Sequence, residues 1–269
     1  MFSDRLTKNV SALALVGGLC AVGSADAAFV SYHDFGAVTG SESTGNITTH
    51  QVGDGVNPAT LDTSAKSLIR YSDGVDTGVD VTIVGANGMD SRNSSQIRPP
   101  AGGTDADTLF NVPGLDLSNG TIFEGGNNGA GFTTFTLTGL NPNLLYDLAF
   151  YGDRNSSADG VERFILLGAD AATNSSSTGI VDAVTTDMQT RPNAIAGNVV
   201  RWTAIDPGAD GTIQVTVDPE VTSLSNIAYL SALRLEEAVP EPSSLALLGI
   251  GGLMMLRRSS AQVARCRRD

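Results

Sequence analysis

The sequence has almost no cysteine, histidine or tryptophan, and these absences exclude several kinds of protein. Its 269 residues include two Cys, two His and one Trp. Cys20 and Cys266 both fall in terminal segments that are set apart below, so the stretch between them contains no disulfide and needs an ordinary hydrophobic core. Neither His33 nor His50 has metal-ligand spacing, and we expect both to be structural or surface residues.

Positive charge is also scarce. The whole chain has a formal net charge of −13, and residues 28–237 carry 9 Lys and Arg against 25 Asp and Glu, a net charge of −16. Such a surface repels nucleic acid and anionic lipid, so no nucleic-acid partner is expected. The serine elbow Gly-x-Ser-x-Gly is missing from this stretch, as is a 3.6-residue apolar period of useful length. Helices should therefore be few and short, and no catalytic residue is predicted.

Long apolar runs occur only near the two ends. At the N-terminus, Arg5 and Lys8 precede the run from Val10 to Val22, and Ala25-Asp26-Ala27 supplies small residues at the −3 and −1 positions. This order is typical of a secretory signal peptide, and it predicts that signal peptidase cleaves between Ala27 and Ala28. Residues 1–27 are therefore excluded from the fold.

The C-terminal segment combines three unlike features. Val239-Pro240-Glu241-Pro242 is held extended by its prolines, the run from Leu245 to Leu256 contains only apolar residues and glycine, and Arg257 and Arg258 follow it. The apolar run is shorter than the ~20 residues of a full membrane span, so length alone does not decide its role. The paired arginines are expected to stay on the cytoplasmic side.

This arrangement resembles the PEP-CTERM sorting signal of exopolysaccharide-producing Gram-negative bacteria. The resemblance implies export, transient anchoring in the inner membrane by a short C-terminal apolar helix, processing at Pro240-Glu241-Pro242 by an exosortase-type enzyme, and release or transfer to the cell surface. Residues 238–269 are accordingly assigned to the sorting signal. The alternative is a plain C-terminal membrane anchor that is not processed.

Between the two ends, short strand-like runs dominate. The clearest alternation is at Thr212 to Val217, where Ile213, Val215 and Val217 share one face. Gly, Asn and Asp punctuate the runs, and no linker or fixed repeat divides them. We predict an all-β protein with one domain, residues 28–237, folded as an antiparallel β-sandwich of the jelly-roll type. The region from Gly85 to Gly131 is poor in strand signals and is predicted to form a loop layer on one end of the sandwich.

A second resemblance supports the same architecture. Asp34-Phe35-Gly36, Leu145 to Tyr151 and Ile227 to Leu235 are similar to strands of galactose-binding-like jelly-roll modules on secreted bacterial proteins. Because these are fold-defining elements, the resemblance implies a fold and no activity.

Two kinds of ligand are considered for this domain. Carbohydrate binding needs an aromatic face with polar groups beside it, and the candidates for it are Tyr151, Asp153, Arg154 and Trp202. A structural calcium ion needs oxygen ligands, and the candidates for it are Asp73, Asp76, Asp105 and Asp107. Aromatic packing in the core explains the first set equally well, and turn chemistry explains the second. No other cofactor is expected.

Together these patterns predict a non-catalytic protein of the cell surface or extracellular matrix that is associated with exopolysaccharide. One alternative is a carbohydrate-binding module with a discrete glycan ligand. The other is a calcium-stabilised enzyme of the glycosidase type, whose paired carboxylates sequence alone cannot identify.

Overall fold

The computed structural model describes residues 28–37, 43–52, 64–85, 89–93, 98–117, 119–124, 132–154, 160–191, 197–218 and 227–238. These ranges contain fifteen β-strands and one short α-helix. None of their helices has the length and apolar character needed to cross a membrane. The predicted signal peptide and the predicted sorting segment, with its apolar helix, lie outside the described residues apart from Ala238.

The fifteen strands and the helix follow one another along the chain as β1 (Val30–Ala37), β2 (Thr48–Val52), β3 (Lys66–Ile69), β4 (Asp76–Gly85), β5 (Met89–Asn93), α1 (Asp105–Phe110), β6 (Asn119–Glu124), β7 (Thr133–Thr138), β8 (Leu145–Tyr151), β9 (Gly160–Leu167), β10 (Ala171–Asn174), β11 (Thr185–Arg191), β12 (Val200–Asp206), β13 (Ile213–Asp218), β14 (Ile227–Leu230) and β15 (Ala232–Ala238).

Two six-stranded sheets form the body. Sheet A has the order β10-β12-β8-β15-β1-β2, and sheet B has the order β11-β9-β13-β7-β4-β3. Their facing side chains make one large core that includes Trp202, Phe135 and Phe150. A third sheet, β14-β6-β5, has three strands. The predicted all-β sandwich is confirmed.

Alternating side chains explain why the central strands form. In β13 the buried positions are Ile213, Val215 and Val217, and the residues between them face outward. β13 pairs antiparallel with both β7 and β9, which show the same alternation. Burying the apolar face of a strand against a second sheet stabilises the fold. A shift in pairing by one residue would turn that face to solvent, so the burial also fixes the register of the strand.

One pairing differs from the antiparallel prediction. β1 and β2 run parallel, with His33 opposite Thr48 and Phe35 opposite His50. β2 is the last strand of sheet A, whereas β1 pairs antiparallel with β15 on its other side. The alternation of side chains is the same in both kinds of ladder, so the sequence pattern carries no information about strand direction.

The outer face of sheet A carries a second, smaller core. Helix α1 buries Ala106, Leu109 and Phe110 against it, where they pack with Tyr32 and Tyr151. The segment around α1 therefore covers a face of the sandwich, whereas the sequence suggested a layer on one end. The helix begins at the N-cap Thr104, whose hydroxyl accepts a hydrogen bond from the Asp107 amide at 3.2 Å.

The two ends of the described domain lie side by side. The Glu237 amide donates to the Phe29 carbonyl at 2.9 Å, and Val30 pairs with Glu236 across β1 and β15. The chain therefore enters and leaves the sandwich at the same end of sheet A, on two neighbouring interior strands.

Candidate functional sites

Tyr151 ends β8 on the outer face of sheet A and is fully buried. Its hydroxyl donates to the Arg98 carbonyl at 2.7 Å, and its ring lies 5.8 Å from that of Phe110. Burial, reinforced by the nearby Asp153 carboxylate, raises the pKa of Tyr151 far above its usual value. The phenol therefore acts as a neutral hydrogen-bond donor that ties the segment at Arg98 to the sheet.

Asp153 follows two residues later and forms a bidentate ion pair. The Arg98 guanidinium donates to its two carboxylate oxygens at 2.6 and 3.0 Å, and the Asp153 side chain is fully buried. The hydrogen bond to Asp153 raises the pKa of Arg98. The ion pair therefore links the segment at Arg98 to the residues that follow β8. Between Tyr151 and Asp153, Gly152 allows the chain to pass close to β14, because a Cβ at that position would lie 1.8 Å from the Tyr229 carbonyl oxygen.

Arg154 has a different partner. Its guanidinium carbon lies 4.8 Å from the centre of the Tyr229 ring, and Nη1 donates to the Tyr229 hydroxyl. Tyr229 is buried, and Arg154 is half-buried.

Trp202 lies on the opposite face of sheet A, in the core between the two sheets. It is fully buried, and it pairs with Leu148 across β12 and β8. The structure thus brings Tyr151 and Asp153 together with Arg98, and Arg154 with Tyr229, but it separates Trp202 from them. Sugar contact by these residues stays a prediction, and neither the Tyr151 nor the Trp202 ring has an exposed face to offer.

Asp73 and Asp76, the first calcium candidates, lie at a turn and at the start of β4. Asp73 accepts from the Val75 amide at 3.1 Å and pairs with Arg70 at 3.1 Å. Asp76 accepts from the Ser67 hydroxyl at 2.7 Å, which lowers its pKa, and from the Gly78 amide at 2.8 Å. Both carboxylates thus have local turn partners.

Asp105 and Asp107, the second calcium candidates, lie in the first turn of α1. Asp107 accepts from the Gly103 amide and from the Asn111 side chain, each at 2.8 Å, while Asp105 accepts from the Ser177 hydroxyl at 2.7 Å. Among the described residues, no group of three or more His, Cys, Asp or Glu could hold a metal ion. Calcium binding stays a prediction.

The two histidines form a buried pair that sequence reasoning did not bring together. His50 Nδ1 lies 2.5 Å from His33 Nε2, and His50 Nε2 lies 3.1 Å from the Ser64 carbonyl. Both side chains are fully buried between β1, β2 and the core. The only sequence signal was the alternation within β1, which places His33 on the same face as Phe35.

Two clefts on the described surface are lined by charged and polar side chains. The end cleft, of about 260 Å³, lies at the end of sheet A where the chain enters and leaves. It is lined by Phe29, Arg70, Asp76, Thr77, Val79, Gly139, Asn141, Leu144, Tyr146 and Glu237. The α1–β12 cleft, of about 230 Å³, is lined by Asp105, Thr108, Leu109, Ser175, Val199 and Arg201. Arg201 and its partner Asp147, at 2.7 Å, were not among the predicted residues, because a link between residues 54 positions apart leaves no local sequence pattern.

Of the predicted processing residues, only Ala28 is among the residues that the structure describes. Ala28 is the first described residue and is half-buried. Ala27, Val239, Pro240-Glu241-Pro242 and the Arg257-Arg258 pair lie outside the described residues.

Comparison with known proteins identifies the C-terminal segment. Residues 238–259 match the PEP-CTERM protein-sorting motif. This match confirms that the Pro-Glu-Pro, the apolar run and the arginine pair together form a sorting signal. No curated protein matches the chain. Among solved structures, the chain is similar to the crystal structure of the bacteriophage CBA120 tailspike protein 4 enzymatically active domain, with 11% identity and a TM-score of 0.33 over 60% of this chain and 20% of that chain. That likeness is too weak to carry an argument about activity.

The protein is therefore a β-sandwich with an exosortase-type sorting signal, exported in bacteria to the surface or the medium. The motif also implies processing by an exosortase-type enzyme.

Proposed function

We propose that this protein is a non-catalytic component of the extracellular matrix of a Gram-negative bacterium, processed at Pro240-Glu241-Pro242 and associated with exopolysaccharide. The observation that carries the proposal is the PEP-CTERM motif at residues 238–259, which begins at the last residue of β15. The short apolar run holds the chain at the inner membrane until the exosortase-type enzyme acts. The acidic domain is then transferred to the surface or released.

The end of the fold supports processing at this place. β15 is complete at Ala238, and it lies inside sheet A between β8 and β1. Cleavage two to four residues later removes none of the described strands, so the processed domain keeps its core. The high negative charge of the domain keeps it soluble once it is free of the membrane.

The test is the intact mass of the protein recovered from the envelope and from the medium of its native host. We expect a form that starts at Ala28 and ends near Pro240. A matched pair of variants locates the signal: Glu241→Gln should leave a longer, envelope-bound form, whereas Glu237→Gln, in β15 outside the Pro-Glu-Pro, should be processed normally. Recovery of the wild type only with residues 245–269 attached would show a plain anchor and refute the proposal.

Association with exopolysaccharide is tested separately. The full-length protein is mixed with polysaccharide isolated from the same host and sedimented, with dextran as the control polymer. We expect the protein to sediment with the host polysaccharide. Recovery in the supernatant at every polysaccharide concentration would refute the association.

A further inference from the structure

We propose that the α1–β12 cleft binds one neutral sugar residue of a glycan. This deepens the proposed association with exopolysaccharide and rests on it. The cleft combines two charged groups of opposite sign, two hydroxyl-bearing side chains and two aliphatic side chains. Its volume of about 230 Å³ is below the roughly 300–1,000 Å³ of pockets for drug-sized ligands, which suits one ring better than a longer segment.

The walls of the cleft belong to fixed elements. Helix α1 is capped by Thr104 and anchored by the buried Leu109 and Phe110. β12 lies between β10 and β8 within sheet A. The Ser177 hydroxyl joins the two sides, because it donates to Asp105 at 2.7 Å and accepts from the Val199 amide at 3.2 Å. A site that is formed before the ligand arrives loses less entropy on binding.

The polar groups of the cleft keep hydrogen-bonding capacity. Ser177 bonds to Asp105 Oδ2, which leaves Oδ1 as an acceptor. Arg201 donates through Nη2 to Asp147 at 2.7 Å, and this contact holds the guanidinium plane while the side chain stays 31% exposed. Thr108 donates its hydroxyl hydrogen to the Thr104 carbonyl, so its oxygen can still accept. The cleft therefore presents a planar donor and at least two acceptors.

This combination fits a neutral sugar better than an anion. A sugar ring carries adjacent hydroxyls that both donate and accept, which matches the donor and the acceptors of the cleft. Leu109 and Val199 are only 8% and 1% exposed, so the match rests on the polar groups. Phosphate or a uronic acid would gain from Arg201, but it would also meet Asp105, Asp147 and the negative field of the domain. The balance of charge in the cleft favours the uncharged ligand.

The test uses full-length protein in detergent and five methyl glycosides. Four are neutral, those of glucose, galactose, mannose and N-acetylglucosamine, and the fifth is the acidic methyl galacturonide. Binding is measured by saturation-transfer NMR and calorimetric titration. We expect at least one neutral glycoside to bind with a Kd on the order of 1 mM, and more tightly than the galacturonide. Binding of none of the neutral glycosides would overturn the proposal.

Variants then locate the site. Asp105→Asn and Thr108→Val should each weaken binding by about tenfold or more, which is the effect of losing one well-placed polar contact. Asp73→Asn, an exposed carboxylate outside the cleft, should leave binding unchanged. Thr108 is exposed on α1, so its variant keeps the test informative even if Asp105→Asn disturbs the helix. Melting temperatures close to that of the wild type confirm folding, and unchanged affinity in both cleft variants would place the site elsewhere.

Sedimentation with the host polysaccharide separates this proposal from the one on which it rests. If wild type and cleft variants sediment equally, the association stands and the cleft is not its site. If the wild type binds neither the glycosides nor the polysaccharide, both proposals fail.

Discussion

Acidification should destabilise the fold through His33. The Ser64 carbonyl can only accept, so His50 Nε2 carries the hydrogen and its Nδ1 accepts from His33 Nε2. His33 Nδ1 is then the unprotonated ring nitrogen, and it is buried without a hydrogen-bond partner among the described residues. Protonation would place a charged N–H there, in the core and beside His50 and Lys66.

The size of this loss of stability follows from the linkage between proton binding and unfolding. Burial, with the repulsion of His50 and Lys66, holds the pKa of His33 well below its usual 6.5. Between that usual value and the lower pKa of the folded state, the unfolded chain binds up to one more proton than the folded chain. The free energy of unfolding therefore falls by up to about 1.4 kcal/mol for each pH unit of acidification. From about pH 6.5 to about pH 5 this loss is at most about 2 kcal/mol.

The assay is urea unfolding of the wild type and of His33→Gln at a series of pH values from 7.5 to 5. Trp202, the sole tryptophan, is buried and reports unfolding by fluorescence. His33→Gln should be less stable at pH 7.5 by about 1–3 kcal/mol, because the ring contact with Phe35 is lost. Carboxylates titrate in both proteins, so their contribution cancels in the difference. The difference in the free energy of unfolding between the two proteins should narrow towards pH 5, by at most about 2 kcal/mol, and a constant difference across the series would refute the reasoning.

Two further predictions concern the segment that follows β8. Gly152→Ala should lower the free energy of unfolding by at least about 2 kcal/mol, because the new Cβ would lie 1.8 Å from a backbone carbonyl oxygen of β14. In the same urea assay the control Gly102→Ala, whose Cβ would have no atom within 4 Å, should change that free energy by less than about 1 kcal/mol. Asp153→Asn should lower the free energy of unfolding by about 1–3 kcal/mol, because it removes the buried charge that pairs with the partly exposed Arg98. The exposed Asp73→Asn should lower it by less than about 0.5 kcal/mol, and equal urea midpoints for these two variants would contradict the role assigned to the pair.

The sequence predicted a strand well where that strand has an apolar face of its own. Runs of alternating or β-branched residues coincide with β7, β8, β9, β12, β13 and β15. It was not informative for short polar strands such as β10, Ala-Ala-Thr-Asn, whose place in sheet A depends on the ladder with β12. The same holds for β2, because its sequence, Thr-Thr-His-Gln-Val, has few apolar residues. Its parallel pairing with β1 depends on the tertiary structure and not on the local sequence.

The candidate sites show a similar division. Composition drew attention to Tyr151 and Trp202 as aromatic residues, but aromatic side chains are also the largest contributors to a core, and both are buried. The α1–β12 cleft depends on contacts between distant segments, such as Ser177 with Asp105, 72 residues apart. The local periodicity of a sequence does not indicate which distant residues come into contact, so it could not predict this cleft. The sorting signal was recognisable because its three features are contiguous and need no tertiary structure.

The position of β15 has a mechanical consequence. If the C-terminal segment holds the protein to a surface, a pulling force on the domain enters the fold through this strand. β15 is hydrogen-bonded along both edges, to β8 over Ala232–Ala238 and to β1 over Ala232–Glu236. Pulling β15 out of the sheet requires the hydrogen bonds of both ladders to break together. It also removes the side chains of Leu233 and Leu235 from the core. An edge strand would peel away one hydrogen bond at a time, so this attachment favours a domain that stays folded under flow.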